Sequence, residues 1–171
     1  MPGYAIHLAV GNVYKKNNNI KDIESFEKGI IAPDLNDDKK MSHYGPYSSR
    51  PDLSKFLQMN DISDSYNEGY FLHLVTDYLF YNKFLIKWNS DLYNDYNKLN
   101  YKIIKKYGVV IPKEIEDVVK YSDGKTSILN EKDVYSFIES VGKIDIRSIV
   151  EKDTQKVEER LSKIEFREKE V

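Results

Sequence analysis

The chain is 171 residues long, with 26 basic and 28 acidic side chains, a formal net charge of −2 and no cysteine. Such a length predicts one domain with a real hydrophobic core, and the near-balanced charge excludes a nucleic-acid partner held by a bulk positive field. Without thiols there can be no disulfide framework, thiolate metal site or cysteine nucleophile.

Helical periodicity dominates. Around residues 4–15, Ile6, Leu8, Ala9 and Val13 recur at three- and four-residue spacing, and Lys15-Lys16-Asn17-Asn18-Asn19 reads as a stop and a loop. A short helix is expected at 21–28, closing at Gly29, with Pro33 biasing Ala32 away from helical geometry. Residues 34–52, rich in Asp, Ser, Gly and Pro, read as a long loop, and loops of that length in a compact domain usually serve function. One long helix is expected from about 62 to 87, with Tyr66, Tyr70, Leu74 and Tyr78 on one stripe and His73, Asp77 and Tyr81 on the next. Gly69, four residues before His73, leaves room for another backbone.

Another helix is expected over 89–107, stopped by Gly108, and Pro112 suits the first turn of the next. Asn130 reads as the N-cap of a helix running to about Val141. From about 145 onward Ile146, Ile149, Val150, Val157, Leu161 and Ile164 are spaced as one apolar face among Glu and Lys. Val109-Val110-Ile111 and Ile128-Leu129 are too short to argue for a sheet. The expected fold is all-α, a single-domain multi-helix bundle over residues 1–171. Ala5 to Val10 lacks a basic start and is interrupted by His7, so it does not read as a secretory segment. No apolar run approaches the roughly 20 residues of a membrane span. A cytoplasmic protein without stable membrane association is expected, its oligomeric state open.

The candidate chemistry lies in the first 77 residues, which hold all three histidines, His7, His43 and His73. His73 and Asp77 stand four apart on an otherwise apolar helix, which sets imidazole and carboxylate side by side, able to clamp one cation. A buried carboxylate is costly unless it is paired or binds metal, and a plain His–Asp hydrogen bond between helices would satisfy it too. His7 falls in the first apolar helix, where a satisfied core histidine is the bland alternative. Asp34 follows Pro33 at the mouth of the long loop, where aspartate commonly caps or turns. His43 lies within that loop, where simple exposure is the alternative. Taken together, His7, Asp34, His43, His73 and Asp77 form a nitrogen and oxygen ligand set suited to a divalent metal, Zn²⁺ or else Fe²⁺, Mn²⁺ or Ni²⁺. They could complete one site with room for water, or a lean two-metal site if Asp77 bridges. A bound metal acidifies its water and polarises a phosphoryl oxygen, which permits phosphoester hydrolysis without a serine or cysteine nucleophile.

Met1-Pro2, His7, Pro33-Asp34, Ser42-His43-Tyr44 and Gly69-Tyr70 with His73-Leu74 and Asp77 resemble the bacterial zinc-dependent phospholipase C-like hydrolase family. The order is similar: an N-terminal histidine, a Pro-Asp loop, a loop histidine, then HxxxD on a long helix. This resemblance covers about residues 1–85 and implies an all-helical fold of the phospholipase C/P1 nuclease type. It also implies that His7, Asp34, His43, His73 and Asp77 are metal ligands and that the substrate is a small phosphorylated molecule. Secreted members use a processed amino terminus as a ligand and have further histidines after the HxxxD; here Met1-Pro2-Gly3 opens the chain and no histidine follows His73. The resemblance is therefore to an intracellular branch lacking the third-metal site, its substrate unassigned.

Two alternatives accompany this reading. HD-type metal phosphohydrolases are also helical with His and Asp ligands, but Leu8, Tyr44 and Leu74 follow the three histidines, so the adjacent His-Asp pair is absent. A non-catalytic metal-binding helical module is the other. Sequence does not choose a general base among carboxylates such as Asp37, Asp38 and Glu68. Tyr44, Tyr47, Tyr70, Tyr78 and Tyr81 could line a pocket near the centre, although tyrosine is abundant throughout the chain. Lys39, Lys40 and Arg50 flank the loop, where they either meet an anionic substrate or are simply solvated.

Overall fold

The computed structural model describes residues 3–152 and 157–166, with backbone alone at 151–152. Among them every regular element is a helix, as expected. In chain order these are α1 (Tyr4–Asn17), α2 (Ile23–Leu35), α3 (Lys39–His43), α4 (Leu53–Met59) and α5 (Ser65–Leu79), followed by a π-turn at Phe80–Phe84. After these come α6 (Asp91–Tyr107), a 3₁₀ turn at Lys113–Ile115, α7 (Glu131–Gly142), α8 (Ile146–Lys152) and α9 (Val157–Leu161).

Two helices are buried almost all round and form the centre. In α1, residues 5–11 are buried in an unbroken run, and α2, α5, α6 and α7 all pack on it. A helix apolar on every face belongs inside. The other is α5, whose chief neighbour is α2. Their crossing is set by paired glycines: a methyl at Gly69 would collide with the Phe26 carbonyl, and one at Gly29 with the Tyr66 carbonyl. Gly69 thus does what its position predicts. Gly29 does not close a helix at residue 28; it lies inside α2, at the contact with α5.

That close packing carries α2 through Pro33 to Leu35, against the expectation that Ala32 leaves helical geometry. Pro33 falls in the last turn, where the ring removes one hydrogen bond and little helix remains to disrupt. As a result Asp34 is delivered on a rigid helix and not on a loop.

The 34–52 segment is also more ordered than a loop. Asp38 and Asp52 cap α3 and α4 by accepting the Met41 and Lys55 N–H groups, at 3.1 and 2.9 Å. Tyr44 ends α3 in the left-handed region, φ 59°, and the Asp52 N–H donates to the His43 carbonyl at 3.2 Å. The long helix expected over 62–87 is shorter, since α5 starts at the Asp64 cap and gives way to the π-turn after Leu79. Gly108 and Asn130 act as expected, at the left-handed end of α6 and the start of α7. Pro112 precedes only a 3₁₀ turn. The C-terminal apolar face is divided between α8 and α9, which bury Ile146, Val157 and Leu161; residues 153–156 and 167–171 lie outside the described residues. No helix among the described residues is long and apolar enough to cross a membrane.

Candidate metal centre

All five side chains singled out from the sequence meet. His7 comes from the first turn of α1, Asp34 from the last turn of α2, His43 from the end of α3, and His73 and Asp77 from successive turns of α5. Each is buried, Asp34 being the most accessible at 7%. Neither bland alternative for the loop residues holds, because His43 is not exposed and Asp34 caps nothing in the described structure.

Asp34, His43, His73 and Asp77 each offer a donor atom within 4.8 Å of the others. His73 Nε2 lies 3.1 Å from Asp77 Oδ2 and 3.4 Å from Asp34 Oδ2, and His43 Nε2 lies 2.9 and 3.6 Å from Asp77 Oδ2 and Asp34 Oδ1. His7 adjoins the group through the other Asp77 oxygen, its Nε2 standing 3.0 Å from Oδ1, and its ring stacks on His73 at 3.6 Å between centroids. Asp77 therefore faces His7 with one oxygen and His43 and His73 with the other.

The His73 tautomer follows from its surroundings. Nδ1 is 2.6 Å from the Ile30 carbonyl, which can only accept, so Nδ1 carries the hydrogen. In the neutral ring Nε2 is then a lone pair aimed at two carboxylates. Lone pairs at that separation repel unless a cation stands between them. It is either a proton, making His73 an imidazolium, or a metal ion. His43 Nδ1 is similarly turned to the Lys39 carbonyl and the Ser42 hydroxyl, at 3.1 and 2.8 Å. Carbonyl partners behind ligating imidazoles are the usual means of fixing a metal-binding tautomer.

Without a metal, the proton takes the role. Burial alone would lower the His73 pKa, but the Asp34 and Asp77 charges outweigh it and raise it to about 10. Burial, then the charge on stacked His73, hold His7 below the ordinary imidazole value. Desolvation pushes the Asp77 and Asp34 carboxyls upward, yet the facing histidines keep both below the usual carboxylate range. Even so, His7 Nε2, His73 Nε2, Asp77 Oδ1 and both Asp34 oxygens are buried without an aligned hydrogen-bond partner among the described residues. Buried polar atoms left in this state cost about 1–3 kcal/mol each. Donors sharing one ion at about 2.0–2.2 Å stand roughly 3.0–3.5 Å apart, close to the spacings seen here. A divalent cation fits this donor set.

Tyr96 and Tyr4 complete the surroundings, and the sequence reading did not single them out. Tyr96 is 6% exposed and its hydroxyl has no partner among the described residues. Its pKa is raised by burial and then by the Asp77 charge. Burial and Asp34 push Tyr4 up to about 12. Both lie on ordinary apolar stripes, so only the fold reveals what they face. Two carboxylates considered as general bases are engaged elsewhere: Asp38 caps α3, and Glu68 accepts from Tyr14 and binds Arg147 at 2.5 and 2.8 Å.

No protein-family model matches the chain, and no curated protein or solved structure matches it at a significant level.

Proposed function

We propose that the chain is a metal-dependent hydrolase of phosphate esters. Asp34, His43, His73 and Asp77 hold a divalent cation, Zn²⁺ by preference, and His7 adds a further donor through the free side of Asp77. The observation that carries this reading is His73, whose Nδ1 is engaged by Ile30 while Nε2 faces two carboxylates. Nitrogen and oxygen donors alone also accommodate Fe²⁺, Mn²⁺ or Ni²⁺. A bound ion supplies Lewis-acid polarisation of a phosphoryl oxygen and acidifies water at neutral pH. The chain's own residues fix the imidazole tautomers, exclude bulk water and set the charge of the centre. The order of these residues, on helices, is also that of the zinc-dependent phospholipase C-like hydrolases, which supports an ester of phosphoric acid as substrate.

Burial of all five side chains supports a second reading, a metal-binding helical module without turnover. Two measurements separate them. Protein purified without chelator should contain about one divalent ion per chain, and less than about 0.2, unchanged after incubation with Zn²⁺ or Mn²⁺, defeats both readings. Loaded protein should hydrolyse p-nitrophenyl phosphomono- or diesters, with the rate falling at least about 100-fold in Asp77→Asn. Bound metal with no hydrolysis across the panel leaves the module.

A further inference from the structure

We propose that the groove between the 47–50 segment, the π-turn and the start of α6 is the substrate cleft, and that it selects phosphate esters of an aromatic alcohol. This deepens the hydrolase reading and rests on it. The groove has a volume of about 940 Å³ and is walled by Lys39, Tyr47, Arg50, Tyr81, Trp88 and Tyr93 among others, with no acidic residue among the described residues that line it. Three of these four aromatic residues are open to solvent: Tyr47 is 64% exposed, Trp88 59% and Tyr93 51%.

Charge and shape indicate one class of occupant. Lys39 and Arg50 form no ion pair among the described residues, so both positive charges are available to an anion. Lys39 Nζ is oriented by the Asp34 and Asn36 carbonyls, both at 2.6 Å, which leave its charge uncompensated. Flat exposed rings beside two cations suit a ligand with an anionic end and an aromatic end.

None of the five proposed ligands is among the described residues lining the groove, which adjoins the centre through Lys39, Tyr81 and Tyr93. The Lys39 carbonyl is the partner of His43 Nδ1, and the Lys39 ammonium rests on the Asp34 carbonyl. Tyr81 lies four residues beyond Asp77 in the π-turn, with a buried hydroxyl lacking a partner among the described residues. π-turns of this kind often mark functional sites. Tyr93 packs edge-on at 6.1 Å against Tyr96, whose buried hydroxyl has no partner among the described residues. The 47–50 wall is itself tied to this helix, since Asn82 Nδ2 donates to the Ser49 carbonyl at 3.0 Å.

Trp88 is the only tryptophan, so its emission reports this groove directly. Protein purified without chelator is titrated with phenylphosphonate, hexylphosphonate, methylphosphonate and inorganic phosphate, with calorimetry for the variants. Phenylphosphonate should shift Trp88 emission saturably and bind at least about tenfold tighter than the methyl compound. Arg50→Gln should weaken it about tenfold, and Trp88→Leu should remove most of the phenyl-over-methyl preference. Lys132→Gln, on the exposed face of α7, should bind as wild type does. The inference is overturned by no saturable emission change up to about 10 mM, by Arg50→Gln binding within about twofold of wild type, or by equal affinity for the hexyl compound. Binding that follows these expectations in protein without metal or turnover upholds the groove and refutes the hydrolase. Turnover with KM unmoved by Arg50→Gln and Trp88→Leu does the reverse.

Discussion

A proton and a divalent cation would compete for one atom in this protein, Nε2 of His73, because Ile30 fixes the hydrogen on Nδ1 and two carboxylates demand a positive charge opposite. In the metal-free chain the proton wins, with His73 raised to about 10. A group whose pKa is higher folded than unfolded contributes stability fully below its unfolded value, near 6.5, and loses it as pH rises through the folded value. His7, held low, acts oppositely and penalises the folded state as pH falls below about 6.5. The depressed Asp77 adds a loss of stability at still lower pH, as the carboxylate is protonated. Urea midpoints of chelator-treated protein should therefore fall steadily between pH 7 and 10. Stoichiometrically Zn²⁺-loaded protein should show little of that alkaline decline, since the ion replaces the proton. Parallel pH curves for the two forms would mean that metal and proton do not share His73.

At the scale of elements, the α2–α5 crossing controls the site. A methyl on Gly69 meets the Phe26 carbonyl and comes within 3.2 Å of the Ile30 amide, so the helices must part. The same α2 turn supplies the carbonyl that orients His73. Gly69→Ala should thus cost roughly 2–3 kcal/mol of stability and also weaken Zn²⁺ binding. Gly108→Ala, at φ 63° with nothing nearby, should cost about 1 kcal/mol and leave metal affinity alone. Chemical denaturation and metal titration of the pair check both parts.

This crossing also shows what the sequence could reveal. The four-residue spacing of Gly69, His73 and Asp77 encodes a close helix approach beside a paired imidazole and carboxylate, and both were legible. Gly29 and Pro33 carry local preferences for ending a helix, and local preference was overridden because α5 packs along α2. The small helices α3 and α4 were hidden by the turn residues Asp38 and Asp52, which act as their caps. Tyr96 was unreadable for a different reason. Its place on the stripe of α6 predicts burial, while what its hydroxyl faces depends on α1, α2 and α5 arriving at the same point.

Over the whole molecule, the donors span residues 7 to 77 and come from α1, α2, α3 and α5, while the described residues of α6 to α9 supply none. An ion at the centre would therefore tie four elements that an unfolded chain cannot hold together, and its binding free energy would appear as folding free energy. At a thousandfold excess over the dissociation constant this amounts to about 4 kcal/mol, or a rise in Tm of roughly 8–16 °C for a domain of this size. Asp34→Asn should lose most of the rise. The gain should also be unevenly distributed. α3 has five residues, too few to persist alone, and it is held by its capping Asp38, by the Tyr70 hydroxyl donating to the Ser42 carbonyl, and by His43 at the centre. Hydrogen exchange should accordingly slow most on Zn²⁺ addition across residues 39–52, and least in α7, whose core of Val134, Phe137, Ile138 and Val141 packs on α1 and which contributes none of the five donors. A Tm shift below about 2 °C, or protection spread evenly over the chain, would show that the centre does not organise these helices through an ion.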